Sequence, residues 1–372
     1  MIELRSVTKK YGDQAAVMDL TLTVSEGEVC ILIGPSGCGK STTIKLVNRM
    51  LEPESGEIFV NGRNVRGFKP EFLRRRIGYV IQYVGLFPHM TVSDNIAVVP
   101  KLLSWEKGRI SNRVDELLHM VGLRPETYRH KYPHELSGGE AQRIGVARAL
   151  ASDPPVLLMD EPFGAVDPLN RESLQAEFMK IQKELKKTVL FVTHDLDEAI
   201  RLADKIALMR DGAIVQYDTP ENILAHPANR FVHDFVGTDR ALKRLSRYSV
   251  ATIMRRAYSL SMHDYPTTVH EYLKKQPWLR FLWIVGEKGE LRGWLDTRDF
   301  KEQGAEAEVI TEVKDPHFGL SDDSTLRDAL SRMLAEGVKV LPVLDRERRV
   351  VGEISLKDIE RVTEEVTERW SE

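Results

Sequence analysis

The chain has 372 residues, 42% of them hydrophobic, and its 53 Lys and Arg against 56 Asp and Glu leave a net charge near −3. That length supports two or three domains with sizeable cores, and the charge balance argues against nucleic acid as a main partner. Only Cys30 and Cys38 are present, which gives no disulfide framework and suits a reducing compartment, and no apolar run approaches the ~18–20 residues that span a bilayer.

In chain order, the first informative segment is the apolar run Val29-Cys30-Ile31-Leu32-Ile33, which predicts a buried strand. It runs directly into Gly34-Pro35-Ser36-Gly37-Cys38-Gly39-Lys40-Ser41, followed by a helix opening at Thr42. Glycines in such a loop let successive backbone N–H groups turn toward a phosphate chain at the positive end of the following helix. Lys40 supplies a point charge toward the outer phosphates, and the Ser41 hydroxyl suits Mg²⁺.

Ile77 to Gln82 reads as a strand, and Gly85-Leu86-Phe87-Pro88-His89-Met90 as a loop with apolar residues that either dock a partner or pack back on the helical region from about 93 to 151. Within that region, Leu136-Ser137-Gly138-Gly139-Glu140 is a second Gly-rich turn opening a helix, and Ser137 with the free N–H groups there makes another anion site. Val156 to Met159 predicts a buried strand ending in two carboxylates, Asp160 to hold Mg²⁺ through water and Glu161 to polarise the attacking water. Val189 to Thr193 predicts another strand, with His194 at its end where a γ-phosphate would lie.

With those motifs in that order, the stretch from Met1 to about Gly237 resembles the ATP-binding subunit of an ABC transporter. The resemblance implies an α/β P-loop NTPase cassette with a RecA-like core, an antiparallel β subdomain and a helical subdomain. It also implies ATP and Mg²⁺ as ligands. Tyr11 resembles the aromatic residue that stacks on adenine, and Gln82 the glutamine that senses Mg²⁺ and the membrane partner. Ser137 and Gly139 belong to the signature that touches ATP on the opposite subunit, Asp167 lies in the loop after the acidic pair, and His194 resembles the switch histidine. Val166 in place of the usual Leu, and Tyr83 in place of a common Gln, are the departures. One phosphate loop and one signature turn per chain imply a homodimer with ATP bridging the subunits. Transmembrane permease subunits, and indirectly a substrate-binding protein, are the further partners, at the cytoplasmic face of the cell membrane. The residues around 86–90, continuing through Asn95 to Leu103, are similar to those of importers of quaternary-amine osmoprotectants such as glycine betaine, carnitine and choline. An importer of another small solute, such as an amino acid or polyamine, and a soluble non-transport ABC ATPase are the alternatives.

After Gly237 the chain turns basic, with Arg240, Lys243, Arg244 and Arg247 predicting a helical linker over 238–251 and Arg255 and Arg256 extending the charge. Beyond it the chain repeats itself over about 252–306 and 307–372: Leu291 to Phe300 aligns with Val350 to Ile359. Ser324 is placed to cap a helix carrying Leu326, Ala329, Leu330 and Met333, and Thr268 a shorter one. The two copies resemble a tandem pair of CBS modules, an α+β regulatory fold that often binds adenosine-type ligands. By that resemblance Ser355 and Asp358 are the residues for an adenine nucleotide second messenger, while Asp296 replaces the Ser or Thr expected in the first copy. Trp278, Trp283 and Trp294 read as core. The tail would then regulate the motor by sensing ionic strength, such a nucleotide, or both.

Overall fold

The structure, a computed structural model, describes residues 1–81, 85–164, 166–237, 239–261, 267–277, 279–303, 310–313, 315 and 318–364. It divides into two units, Met1–Gly237 and Thr238–Glu372. In the first, strand Val29–Ile33 is buried along its whole length and sits inside a six-stranded sheet. The order across that sheet is Ala213–Asp218, Lys205–Arg210, Val29–Ile33, Thr188–Val192, Val156–Asp160 and Ile77–Val80. All neighbours are parallel except the first pair. A sheet covered on both faces produces uninterrupted apolar strands. Here Ile31 and Ile33 face a core shared with helices Val92–Leu102, Lys107–Met120 and Gly138–Leu150, whereas Cys30 and Leu32 face Ile2, Leu4, Leu22 and Ile44. Those last residues belong mainly to an antiparallel sheet in the order Gln14–Val24, Ile2–Tyr11, Ser55–Val60, Arg63–Asn64. The three subdivisions of the cassette are therefore present. Leu86 packs back on the helical core while Phe87 stays exposed.

The second unit repeats one pattern. Ser259–Ser261, Thr267–Lys275, Phe281–Val285, Leu291–Asp296 and Thr297–Gln303 form a strand, a helix, two strands and a helix. Leu320–Ser321, Leu326–Glu336, Val340–Leu344, Val350–Ser355 and Leu356–Glu364 do the same. In each copy the first strand runs parallel to the second, and the second antiparallel to the third. Thr325, not Ser324, caps the helix at Leu326: its hydroxyl accepts from Asp328 N–H at 3.2 Å, and Asp328 accepts from Thr325 N–H at 2.9 Å. Ser324 is occupied otherwise, its carbonyl accepting from Val250 N–H. The first helix starts at Thr267, one residue before the expected cap Thr268. Trp283 is buried in the core and Trp294 stacks on Phe318 at 4.9 Å, whereas Trp278 lies outside the described residues.

The expected linker over 238–251 is corrected by its packing. Its helix Arg240–Leu245 puts Leu245, and the following turn puts Val250, into the core built by Leu326, Met333, Leu341 and Ile354. Leu326 N–H donates to Tyr248 O, and Ser249 bridges to Thr325. The segment reads as a linker in sequence because four of its residues are Lys or Arg, yet two apolar side chains are enough to commit it to the second unit. Leu245→Ala should therefore destabilise that unit by about 2–5 kcal/mol, the usual range for a truncated core leucine. Chemical denaturation of the full chain, followed by tryptophan emission, measures this; an unchanged C-terminal transition would mean that the segment is a solvated spacer.

Candidate nucleotide-binding site

Parallel pairing brings the loops after Ile33, Asp160 and Val192 to one edge of the large sheet. The first loop is shaped by two glycines in the left-handed half of backbone space. Gly34 has φ 151°, and a Cβ there would meet Met209 O at 2.1 Å; Gly39 has φ 104°, and a Cβ would meet Ala16 O at 2.2 Å. Only glycine lets the loop lie that close to the neighbouring backbone. Gly39 then leads into helix Lys40–Val47. The Lys40 ammonium is folded under the loop, donating to Gly34 O at 2.7 Å and Pro35 O at 2.9 Å, with Cys38 Sγ at 3.7 Å. Burial pushes the Cys38 thiol up, so this cysteine is a neutral spacer behind the loop.

Ser41 Oγ donates to Asp160 Oδ1 at 3.0 Å, and burial holds the Asp160 carboxyl above the usual carboxylate range. Tyr79, on the adjacent strand, is pushed up to about 12 by burial and by the nearby Asp160 charge. Glu161 sits in left-handed backbone at φ 47°. Its N–H donates to Val192 O, Gly164 N–H donates to its carbonyl, and its carboxylate meets His194 Nδ1 at 3.2 Å. Ser36, Gly37, Gly39, Lys40, Ser41, Thr42, Glu161 and His194 together line a cleft of about 460 Å³. The arrangement offers backbone donors and a buried cation for phosphates, and a carboxylate and an imidazole for a water molecule beside them. A desolvated carboxylate touching a hydroxyl fits a magnesium ion that takes its other oxygens from phosphate and water. Gly34, Pro35 and Cys38 are not in the lining; they hold Lys40 from behind. Tyr11 is exposed at the end of its strand, also outside the lining, and Gln82 lies outside the described residues.

The signature turn belongs to a separate cleft of about 410 Å³, lined by Ser137, Gly138, Gly139, Glu140, Arg143, Val166, Asp167 and Leu174. Ser137 caps helix Gly138–Leu150 reciprocally with Glu140: Ser137 Oγ accepts from Glu140 N–H at 3.3 Å, and Glu140 accepts from Ser137 N–H at 2.8 Å. Tyr128 OH donates to Glu140 at 2.5 Å and holds that carboxyl below its ordinary range. Ser137, Gly139 and Asp167 are thus brought together, but away from Lys40. Tyr128, Arg143 and Tyr79 are not legible in the sequence, because they act through neighbours distant in the chain and carry no motif of their own.

In the second unit, Ser355 and Asp358 meet at the start of helix Leu356–Glu364. Asp358 Oδ2 accepts from Ser355 N–H at 2.9 Å and Ser355 Oγ at 2.5 Å, and Arg255 Nη2 lies 2.9 Å from the same oxygen. Arg255 also donates to Ser355 Oγ at 2.7 Å, and its backbone pairs with Glu353. Trp283 Nε1 donates to Glu353 at 2.9 Å, and burial raises the Glu353 carboxyl. The pair assigned to a ribose is already engaged by a side chain of the same unit.

The family models agree with both halves: residues 17–164 match the ABC transporter model and residues 310–365 the CBS domain. The chain belongs to the ATP-binding subunits of the ABC transporter family, and it carries a C-terminal CBS domain. It is 44% identical to the glycine betaine/carnitine/choline transport ATP-binding protein OpuCA of Bacillus subtilis, over 96% of each chain. It is 43% identical to the spermidine/putrescine import ATP-binding protein PotA of Chromobacterium violaceum, but over 65% of this chain and 66% of that one. Among solved structures, the dimeric form of a bacterial ABC transporter cassette superposes with a TM-score of 0.53 at 33% identity, covering 59% of this chain and 98% of its own.

Two outcomes follow from the geometry. Glu161→Gln should lower turnover by roughly 10²–10⁴-fold, the usual worth of a positioned general base, while nucleotide binding persists; Lys40→Ala should weaken nucleotide binding itself. Steady-state hydrolysis together with fluorescent-nucleotide binding separates the two, and parental turnover in Glu161→Gln would remove Glu161 from this role. The second concerns pH. A raised Asp160 means that the folded protein binds this proton at higher pH than the unfolded chain, so ionising it lowers stability as pH rises through the folded value. A magnesium nucleotide binds the ionised form and offsets that loss. The thermal shift given by Mg–ATP in Glu161→Gln should shrink as pH falls toward that raised value, and adding Asp160→Asn should leave a smaller, pH-independent shift.

Proposed function

We propose that the chain hydrolyses ATP to power import of quaternary-amine osmoprotectants, namely glycine betaine, carnitine or choline, through separate transmembrane subunits. It works as a homodimer at the cytoplasmic face of the membrane, with solute delivered by a binding protein that does not touch it. The observation that carries the cargo assignment is coverage: a relative named for these three solutes aligns over 96% of the chain, through the C-terminal unit, whereas the polyamine relative aligns over 65%. An amino-acid or polyamine importer is thereby disfavoured, and membership of the transporter ATP-binding subunits disfavours a soluble non-transport ATPase.

In this reading Lys40 and the loop N–H groups hold the phosphates, Ser41 and Asp160 hold magnesium, and Glu161 with His194 positions the water. Magnesium supplies neutralisation of charge on the phosphates. The separation of the two clefts supports a shared site in which Ser137 and Gly139 of one subunit complete the phosphate loop of the other. Each charged hydrogen bond there contributes about 1.5–3 kcal/mol, so loss of the γ-phosphate releases the closed dimer. The C-terminal unit is the regulatory arm. An adenine nucleotide at Ser355 and Asp358 would first have to displace Arg255.

Reconstitution with the co-purified membrane subunits in lipid vesicles, scored by uptake of labelled glycine betaine, carnitine, choline and spermidine, tests the cargo; uptake of spermidine alone would replace the assignment. Mixing Lys40→Ala and Ser137→Arg chains should restore hydrolysis above either variant alone, since each heterodimer regains one intact composite site. Equal activity of mixture and single variants, with heterodimers demonstrated by differential tags, would count against the shared site.

A further inference from the structure

The tandem repeat is asymmetric. The position at Ser355 and Asp358 is filled by Arg255, while a cleft of about 270 Å³ opens between the two copies, lined by Arg280, Phe281, Trp294 and Asp296 of the first and by Phe318 and Lys339 of the second, among others. We propose that this cleft binds a small zwitterionic quaternary amine, so that the imported solute itself is sensed by the motor subunit. The inference rests on the cargo assigned above and adds to it a site for the same chemistry.

Three observations select that class. The cleft lies below the ~300–1,000 Å³ of sites for drug-sized ligands, which favours a compact solute. Its wall already accepts an organic cation, the chain's own: the Arg280 guanidinium lies 5.0 Å from the Phe281 ring centroid and 3.3 Å from Asp296 Oδ2, while Arg298 N–H donates to Asp296 Oδ1, so the ammonium of the solute exchanges with Arg280 at this corner. Trp294 extends this aromatic surface and is fixed as a wall by stacking on Phe318 at 4.9 Å and 16°. A tetramethylated or trimethylated nitrogen donates no hydrogen bonds, so an aromatic face beside a carboxylate suits it better than it suits a strongly hydrated metal cation. Finally, Lys339 lines the same cleft with no ion-pair partner among the described residues, ready for the carboxylate end of the solute. Charges of both signs around an aromatic wall complement a zwitterion, and a state-dependent affinity there would bias the regulatory arm.

Equilibrium dialysis of the full chain against radiolabelled glycine betaine at constant ionic strength tests this. Saturable binding, one solute per chain, is expected. Trp294→Leu should weaken it by about three- to thirtyfold, the worth of a cation–π contact. Exposed Lys339→Met should weaken glycine betaine by about tenfold yet leave choline, which lacks a carboxylate, within about twofold, a split that loss of folding would not produce. Absence of saturable binding across the millimolar range, displacement of the label by AMP, or equal loss of glycine betaine and choline in Lys339→Met would overturn the proposal. Vesicle uptake keeps the two readings apart: transport of glycine betaine without binding to this chain defeats the sensing site alone, and no transport of any quaternary amine defeats the cargo assignment beneath it.

Discussion

Parallel pairing of the strands Val29–Ile33, Thr188–Val192 and Val156–Asp160 is the constraint from which the ATPase unit follows. Parallel strands end on one edge, so the phosphate loop, the carboxylate pair and His194 arrive together although the chain separates them by more than a hundred residues. The same pairing needs cover on both faces. The antiparallel sheet supplies one face and the helical subdomain the other, and the helical side carries Ser137 with it. Fold and chemistry are thus consequences of one hydrogen-bonding choice.

Two charged groups near that edge, buried Lys40 and half-buried Asp160, are held differently. Lys40 is satisfied by carbonyls of its own loop. Asp160 accepts from the Ser41 hydroxyl, and its carboxyl stays raised by burial. The cation is stored in a hydrogen-bonded form that phosphate oxygens exchange for carbonyls, while the anion is held in a form that a metal relieves. Both features favour a magnesium nucleotide over either component alone.

Local patterns carried much of this architecture. The Gly-rich loop, the apolar strands and the acidic pair are short and contiguous, and the repeat in the tail was visible as aligned segments. What the sequence concealed depended on contacts across long separations. Arg255 reaches Asp358 over about a hundred positions, so a ribose-type motif looked open when it is filled. Leu245 and Val250 looked like incidental apolar residues in a basic stretch until their partners Leu326 and Leu341 were placed beside them. Ser324 and Thr325 are equally good caps by composition, and only the bond from Val250 to the Ser324 carbonyl decides between them. Asp296, noted in the sequence only as a replacement, accepts from Arg298 N–H at the start of helix Thr297–Gln303 with one oxygen and pairs with Arg280 through the other.

The Arg255–Asp358 pair has a bearing on how such a tail can respond to dissolved salt. Mobile ions weaken attractions that pass through water, over a screening length of about 8 Å at physiological strength, and reach buried pairs poorly. Asp358 is 6% exposed but its partner Arg255 is 54% exposed, so rising salt weakens this clasp less than a pair exposed on both sides. Pairs such as Arg349 with Glu347, 54% and 67% exposed, lie fully within the reach of screening. The second unit therefore contains a clasp shielded on its acidic side beside a skin of charges open to solvent on both sides, and added salt loosens the skin before the clasp.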